Sequence, residues 1–149
     1  MSILGLLTGA LVAGGAAVTT ARPQDGVGSR STSDGVFTPT QAVRGRQQYD
    51  VLCVQCHGPE LEGGGIDVPA LMGDKFVQKW SKRPLRGLFD LIKQTMPEND
   101  AGSLTDAAYA DVLAFLLQEN GYPSGPTALA PDHERLGSIV IGLPRANAR

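Results

Sequence analysis

The chain has 149 residues, of which 42% are hydrophobic, enough for one packed domain. Aromatic residues make up only 5%, and Gly (19) and Pro (10) are frequent, so much of the chain is expected as loop. A formal net charge of −2 gives no basis for binding nucleic acid or an anionic membrane surface.

The first residues read as an export signal. Positions 3–18 carry no charge and are mostly Leu, Ala, Val and Gly, and Thr19-Thr20-Ala21 offers small residues for cleavage after Ala21. The basic n-region of such signals is missing, so an uncleaved anchor is the alternative, although the apolar run is short for a full span. Residues 22–36 are polar and rich in Gly and Ser, and are expected as a flexible linker. A compact region follows over 37–125, and a Pro-rich tail over 126–149.

The first helix is predicted to begin at Pro39. Thr38 is its N-cap, Pro39 takes the first helical position and Gln41 completes a T-x-x-Q capping box. Ala42, Gly45, Tyr49, Leu52, Cys53 and Cys56 then recur at helical spacing. Gly45 costs such a helix about 1 kcal/mol relative to Ala, a cost that close approach of another helix would explain.

This helix runs into Cys53-Val54-Gln55-Cys56-His57, a C-x-x-C-H. That pattern is the attachment signature of c-type haem. Two thiols at this spacing lie on one side of a helical turn and can both add to the vinyl groups of one porphyrin. The adjacent His57 can then donate an imidazole nitrogen to the iron. A thioredoxin-like redox pair would need a βαβ context, and the surroundings are not strand-rich. A zinc site would need four ligands, whereas the chain has two Cys and two His, with His133 far away in the tail. A disulfide would leave His57 unexplained. Export agrees with the haem reading, because c-type haem is joined to its protein outside the cytoplasm. One motif predicts one haem.

Beyond the motif, a helix is predicted over 85–95, with Leu85, Leu88, Phe89 and Ile92 on one face. Another is predicted over 106–120. Thr105 caps it, Leu104 can pack on Tyr109 as a staple, and Tyr109, Val112, Leu113, Leu116 and Leu117 form a stripe widened by Phe115. Gly121 ends it, and Pro123 forbids its return. No segment reads as a strand, so the class is all-α. The tail carries Leu136, Ile139, Val140, Ile141 and Leu143, a set able to pack back on the domain or dock on a partner. Charge is uneven. Lys75, Lys79, Lys82, Arg83 and Arg86 cluster in one stretch, and Glu98, Asp100, Asp106 and Asp111 in another. Either run can steer a redox partner or be merely a solvated surface.

Together these features resemble a class I cytochrome c. Gly45, Tyr49, Cys53, Cys56 and His57 match that family's G-x-x-x-[FY]-x-x-x-C-x-x-C-H. The resemblance covers about 37–125 and implies three to five helices around one covalent haem, with the first and last helices crossing. Val112 and Phe115 would meet the Gly and Tyr positions at that crossing. Met96, in Gln94-Thr95-Met96-Pro97, stands where the family places its distal methionine, a soft ligand that favours Fe(II). Met72 and His133 are the other candidates, but Met72 follows His57 closely, which leaves little chain to cross to the opposite haem face, and His133 sits in the polar tail. Pro69 matches the proline whose carbonyl accepts a hydrogen bond from the proximal His. Trp80 stands where related cytochromes hydrogen-bond a haem propionate, with a core or surface Trp as the alternative.

The resemblance implies a periplasmic, monohaem electron carrier rather than an enzyme. It would exchange electrons with a dehydrogenase donor or an oxidase acceptor. A narrower expectation is a dedicated cytochrome subunit of a membrane or periplasmic oxidoreductase complex. Positions 117–125 look like the end of cytochrome domains associated with quinone-cofactor alcohol dehydrogenases. Two further classes stay open: a haem enzyme or gas sensor with an open iron site, and a binding module without haem.

Overall fold

The computed structural model describes residues 30–65 and 67–144. The expected export signal and its cleavage after Ala21 lie outside them, as does the expected linker up to residue 29. Among the described residues no helix is long and apolar enough to cross a membrane.

Six α-helices are described: α1 (Pro39–Leu52), α2 (Val54–His57), α3 (Gly73–Trp80), α4 (Leu85–Thr95), α5 (Asp106–Glu119) and α6 (His133–Ser138). Where the sequence pattern gave no strand, β1 (Arg30–Ser31) pairs in parallel with β2 (Ile139–Val140). The pair forms because the tail returns to the segment that precedes α1. Two-residue strands carry no periodicity for a sequence pattern to detect.

The helix starts follow their caps. Thr38 Oγ1 accepts from the Gln41 N–H at 3.2 Å, and Thr105 Oγ1 accepts from the Ala108 N–H at 3.2 Å. The expected capping box is only half formed. The Gln41 side chain turns away from Thr38, donating from Nε2 to the Leu129 carbonyl (2.9 Å) and accepting the Leu129 N–H on Oε1 (2.7 Å). One buried amide thus clamps the tail backbone to α1. The first helix also breaks one residue earlier than a continuous run into the motif. Cys53 leaves helical geometry (φ −122°, ψ −33°), and α2 restarts at Val54.

The centre of the fold is the packing of α1 on α5. A Cβ on Gly45 would overlap the Asp111 carbonyl oxygen and lie 2.9 Å from Phe115 Cβ, so only glycine admits α5 at this distance. Beside the contact, Arg44 grips Asp111 with two nitrogens at 2.7 and 2.9 Å. Two apolar clusters flank the crossing. The larger joins Phe37, Ala42, Phe76, Trp80, Leu85, Leu88, Phe89, Tyr109, Leu113 and Leu117 to the tail residues Leu129, Leu136, Ile139 and Ile141. The smaller contains Tyr49, Leu61, Val112, Phe115 and Leu116, with Cys53, Val54, Leu71 and Met72 packed against it.

The tail therefore packs back on the domain. Its backbone is stitched by Lys82 N–H to Ile141 O (2.7 Å) and Ile141 N–H to Arg83 O (2.9 Å). Tyr122 donates to the Gly142 carbonyl at 2.8 Å, while Leu143 stays 67% exposed. Residues 30–36, at the end of the expected linker, are also held in place: Thr32 is buried, and its hydroxyl accepts the Gly142 N–H at 3.0 Å.

Candidate haem site

The C-x-x-C-H motif is one short helical turn at the edge of the smaller cluster. The His57 N–H donates to the Cys53 carbonyl at 3.0 Å, and the Cys56 N–H approaches the same oxygen at 3.2 Å. Both cysteines are free thiols; Cys53 is half-buried and Cys56 exposed. Burial, with a smaller contribution from neighbouring Cys56, pushes the Cys53 thiol up to about 11.

His57 is only 7% exposed. Its Nδ1 lies 3.1 Å from the Pro69 carbonyl, which requires the proton on Nδ1 and leaves Nε2 with its lone pair. The chain delivers Pro69 through a loop that doubles back. Gly63, at φ +78°, donates to the His57 carbonyl (2.9 Å) and lies so close to 68–70 that a Cβ there would meet Val68 O at 2.6 Å. Leu61 is buried with φ +57°, a conformation costing an L-residue about 1 kcal/mol or more. Its carbonyl accepts the Leu71 N–H at 2.8 Å, so the backbone of this residue ties the two arms of the loop together.

Met96 caps the C-terminus of α4. With Pro97 it lines the same apolar pocket as Cys53, along with Ile92, Leu104, Tyr109 and Val112. The fold thus brings Met96 to the motif from another element. It does not bring the other candidates into that pocket. His133 Nε2 is 2.8 Å from Asp90 Oδ1 on α4, on the outside of the molecule. Met72 packs against the smaller cluster at the start of α3. Trp80 is 8% exposed in the larger cluster and does not line the pocket shared by Cys53 and Met96. Its ring has Lys79 Nζ at 5.5 Å and the Arg83 guanidinium at 6.0 Å.

Among the described residues no group of three or more His, Cys, Asp and Glu side chains could hold a metal ion. Cys53, Cys56 and His57 are therefore not part of a protein-only zinc cage there. A family model described as "Cytochrome C oxidase, cbb3-type, subunit III" matches residues 40–116, which include the motif, Met96 and both crossing helices.

The chain belongs to this cytochrome c family.

Curated relatives agree. The chain is 33% identical over 150 residues to proteins named "Cytochrome bc1 complex cytochrome c subunit" from Mycobacterium bovis and Mycobacterium tuberculosis. The match takes in 95% of this chain and 47% of the relatives, so the chain spans about half their length. No solved structure matches it.

Membership in a cytochrome c family implies covalent haem c, and the residues present fit that group. Two thiols stand one turn apart, Cys56 exposed and Cys53 half-buried, one imidazole nitrogen is spare, and the adjoining pocket is lined by apolar side chains. The expected acidic run is partly neutralised in the cytochrome. Asp106 pairs with Lys93 at 2.6 Å and Asp111 with Arg44, while Lys75, Lys79, Lys82, Arg83 and Arg86 are exposed and belong to no ion pair among the described residues.

Two hydroxyls near the site escape sequence reasoning. Tyr49 donates to the Gly58 carbonyl at 2.6 Å, directly after His57, and Tyr109 donates to the Met96 carbonyl at 2.8 Å. The available signal is that Tyr rather than Phe stands within apolar helical stripes, since a buried phenol requires a partner. Asn120 is a third such residue. It ends α5 and binds the backbone of Leu71, Gly73 and Leu116 at 2.8–3.1 Å.

Proposed function

We propose that this cytochrome is an electron-transfer subunit of a respiratory complex, acting on the periplasmic side of the membrane and doing no catalysis of its own. It carries one haem on Cys53 and Cys56, with His57 and Met96 as axial ligands. The bound haem supplies one-electron redox chemistry at its iron. The observation that carries this reading is the His57 Nδ1 contact with Pro69: it fixes the ring and its tautomer and reserves Nε2 for a metal. Met96, in the same pocket as Cys53, contributes a thioether, which favours the reduced state and raises the potential. The apolar lining of that pocket would keep water away from a haem held there.

The subunit reading is favoured over a free shuttle because the curated relatives are named as subunits of a bc1 complex. An alcohol dehydrogenase partner, expected from positions 117–125, draws no support from the fold. Asn120 and Tyr122 are engaged in packing contacts, and the Gly125 N–H donates to the Phe37 carbonyl at 2.7 Å. The test is affinity capture of the tagged full chain from the membranes of its own cells. Recovery with bc1 or oxidase subunits supports the proposal. Recovery as a lone monomer returns the reading to a free shuttle between a dehydrogenase and an oxidase. Ready carbon monoxide binding by the reduced protein would instead support an open iron site.

A further inference from the structure

Tyr109 sits in the first turn of α5 with 1% of its surface exposed. Its ring meets Phe89 of α4 nearly edge-on, with centroids 6.5 Å apart and planes at 80°. The two rings leave the phenol little freedom, and its hydroxyl donates to the Met96 carbonyl at 2.8 Å. From the other side, the Met96 N–H donates to the Ile92 carbonyl at 2.8 Å. The backbone of Met96 is therefore held at both polar atoms, by α4 at its nitrogen and by α5 at its oxygen. Beyond it, the Asp100 N–H closes a turn on the Pro97 carbonyl at 2.9 Å, and Lys93–Asp106 spans the same loop from outside. Tyr109 also lines the pocket that Met96 shares with Cys53.

We propose that Tyr109 is a positioning residue for Met96, its phenol fixing the Met96 carbonyl and thereby keeping the thioether in the pocket. The proposal rests on the reading of Met96 as the distal ligand. Without the hydroxyl, Met96 is held through its nitrogen alone, and the population whose thioether has left the pocket rises. Loss of one net hydrogen bond sets that rise at about three- to tenfold, and an exogenous ligand competing for the vacated position binds more tightly by the same factor.

The experiment is an imidazole titration of the oxidised holoprotein, followed through its Met–Fe(III) charge-transfer band. Tyr109→Phe keeps the ring and its packing. It is expected to retain the band without imidazole and to lose it at about three- to tenfold lower imidazole than the wild type. Tyr122→Phe is the matched variant, since its hydroxyl also donates to a carbonyl at 2.8 Å but in the tail. It is expected to lower the melting temperature and leave imidazole affinity unchanged. A wild-type band with equal imidazole affinity in Tyr109→Phe would overturn the positioning role alone. An equal gain in Tyr122→Phe would also overturn it, by showing general loosening. Absence of the band in the wild type would overturn the ligand reading and the proposal with it.

Discussion

At the scale of the residue, the C-x-x-C-H motif names the cofactor, but hydroxyls hold the motif in place. Tyr49 is fully buried, and its phenol is pushed up to about 12, mainly by burial. The unfolded chain ionises this group near 10, so it adds stability below about pH 10 that is lost as pH rises through about 12. Tyr49→Phe is expected to cost about 1 kcal/mol at neutral pH through loss of the bond to Gly58. The same variant should lose less stability than the wild type between about pH 10 and 12. Denaturant melts of both proteins across that range check the two statements. The candidate thiols, imidazole and methionine stand out in the sequence because each is a residue type with its own metal or haem chemistry. The partners of Tyr49, Tyr109 and Gln41 are not, because they are backbone carbonyls or amides, present at almost every position, and only the fold says which one is near.

At the scale of the element, legibility follows length and capping. The bounds of α4 agree with its apolar spacing, and α5 follows from Thr105, its stripe and the terminating Gly121. The helix α3 leaves little signal in the sequence, because no side chain caps its start and it packs only Phe76 and Trp80 into the core. The close approach that could explain Gly45 is borne out, and it gives a paired prediction. Gly45→Ala adds helix propensity but forces a methyl into the Asp111 carbonyl, so the variant should lose about 2 kcal/mol or more as α1 and α5 separate. Gly87, on the exposed side of α4, has nothing within 4 Å of an added Cβ. Gly87→Ala should therefore gain about 0.5–1 kcal/mol. Thermal melts of the two holoproteins decide this. Shifts of the same sign would mean that helix propensity, not the crossing, controls α1.

At the scale of the whole molecule, the packed unit extends beyond 37–125, the stretch expected to be compact. Leu129, Leu136, Ile139 and Ile141 are each no more than 4% exposed, so the tail completes the larger cluster. Its apolar residues were visible in the sequence, but whether they would meet this domain or a partner was not. That choice depends on Gln41 and on the stitching at 82–83 and 141. Gln41→Ala leaves the N–H and the carbonyl of Leu129 without their partners and is expected to cost about 2–4 kcal/mol in chemical denaturation. A cost below about 0.5 kcal/mol would show that the clamp does not hold the tail. The central claim is that this fold holds one haem between His57 and Met96, and the visible spectrum of the oxidised holoprotein tests it most directly. A thioether-type haem spectrum with a Met–Fe(III) charge-transfer band, the band alone disappearing in Met96→Ala, is the predicted result. A wild type without the band, or a band that survives Met96→Ala, would contradict it.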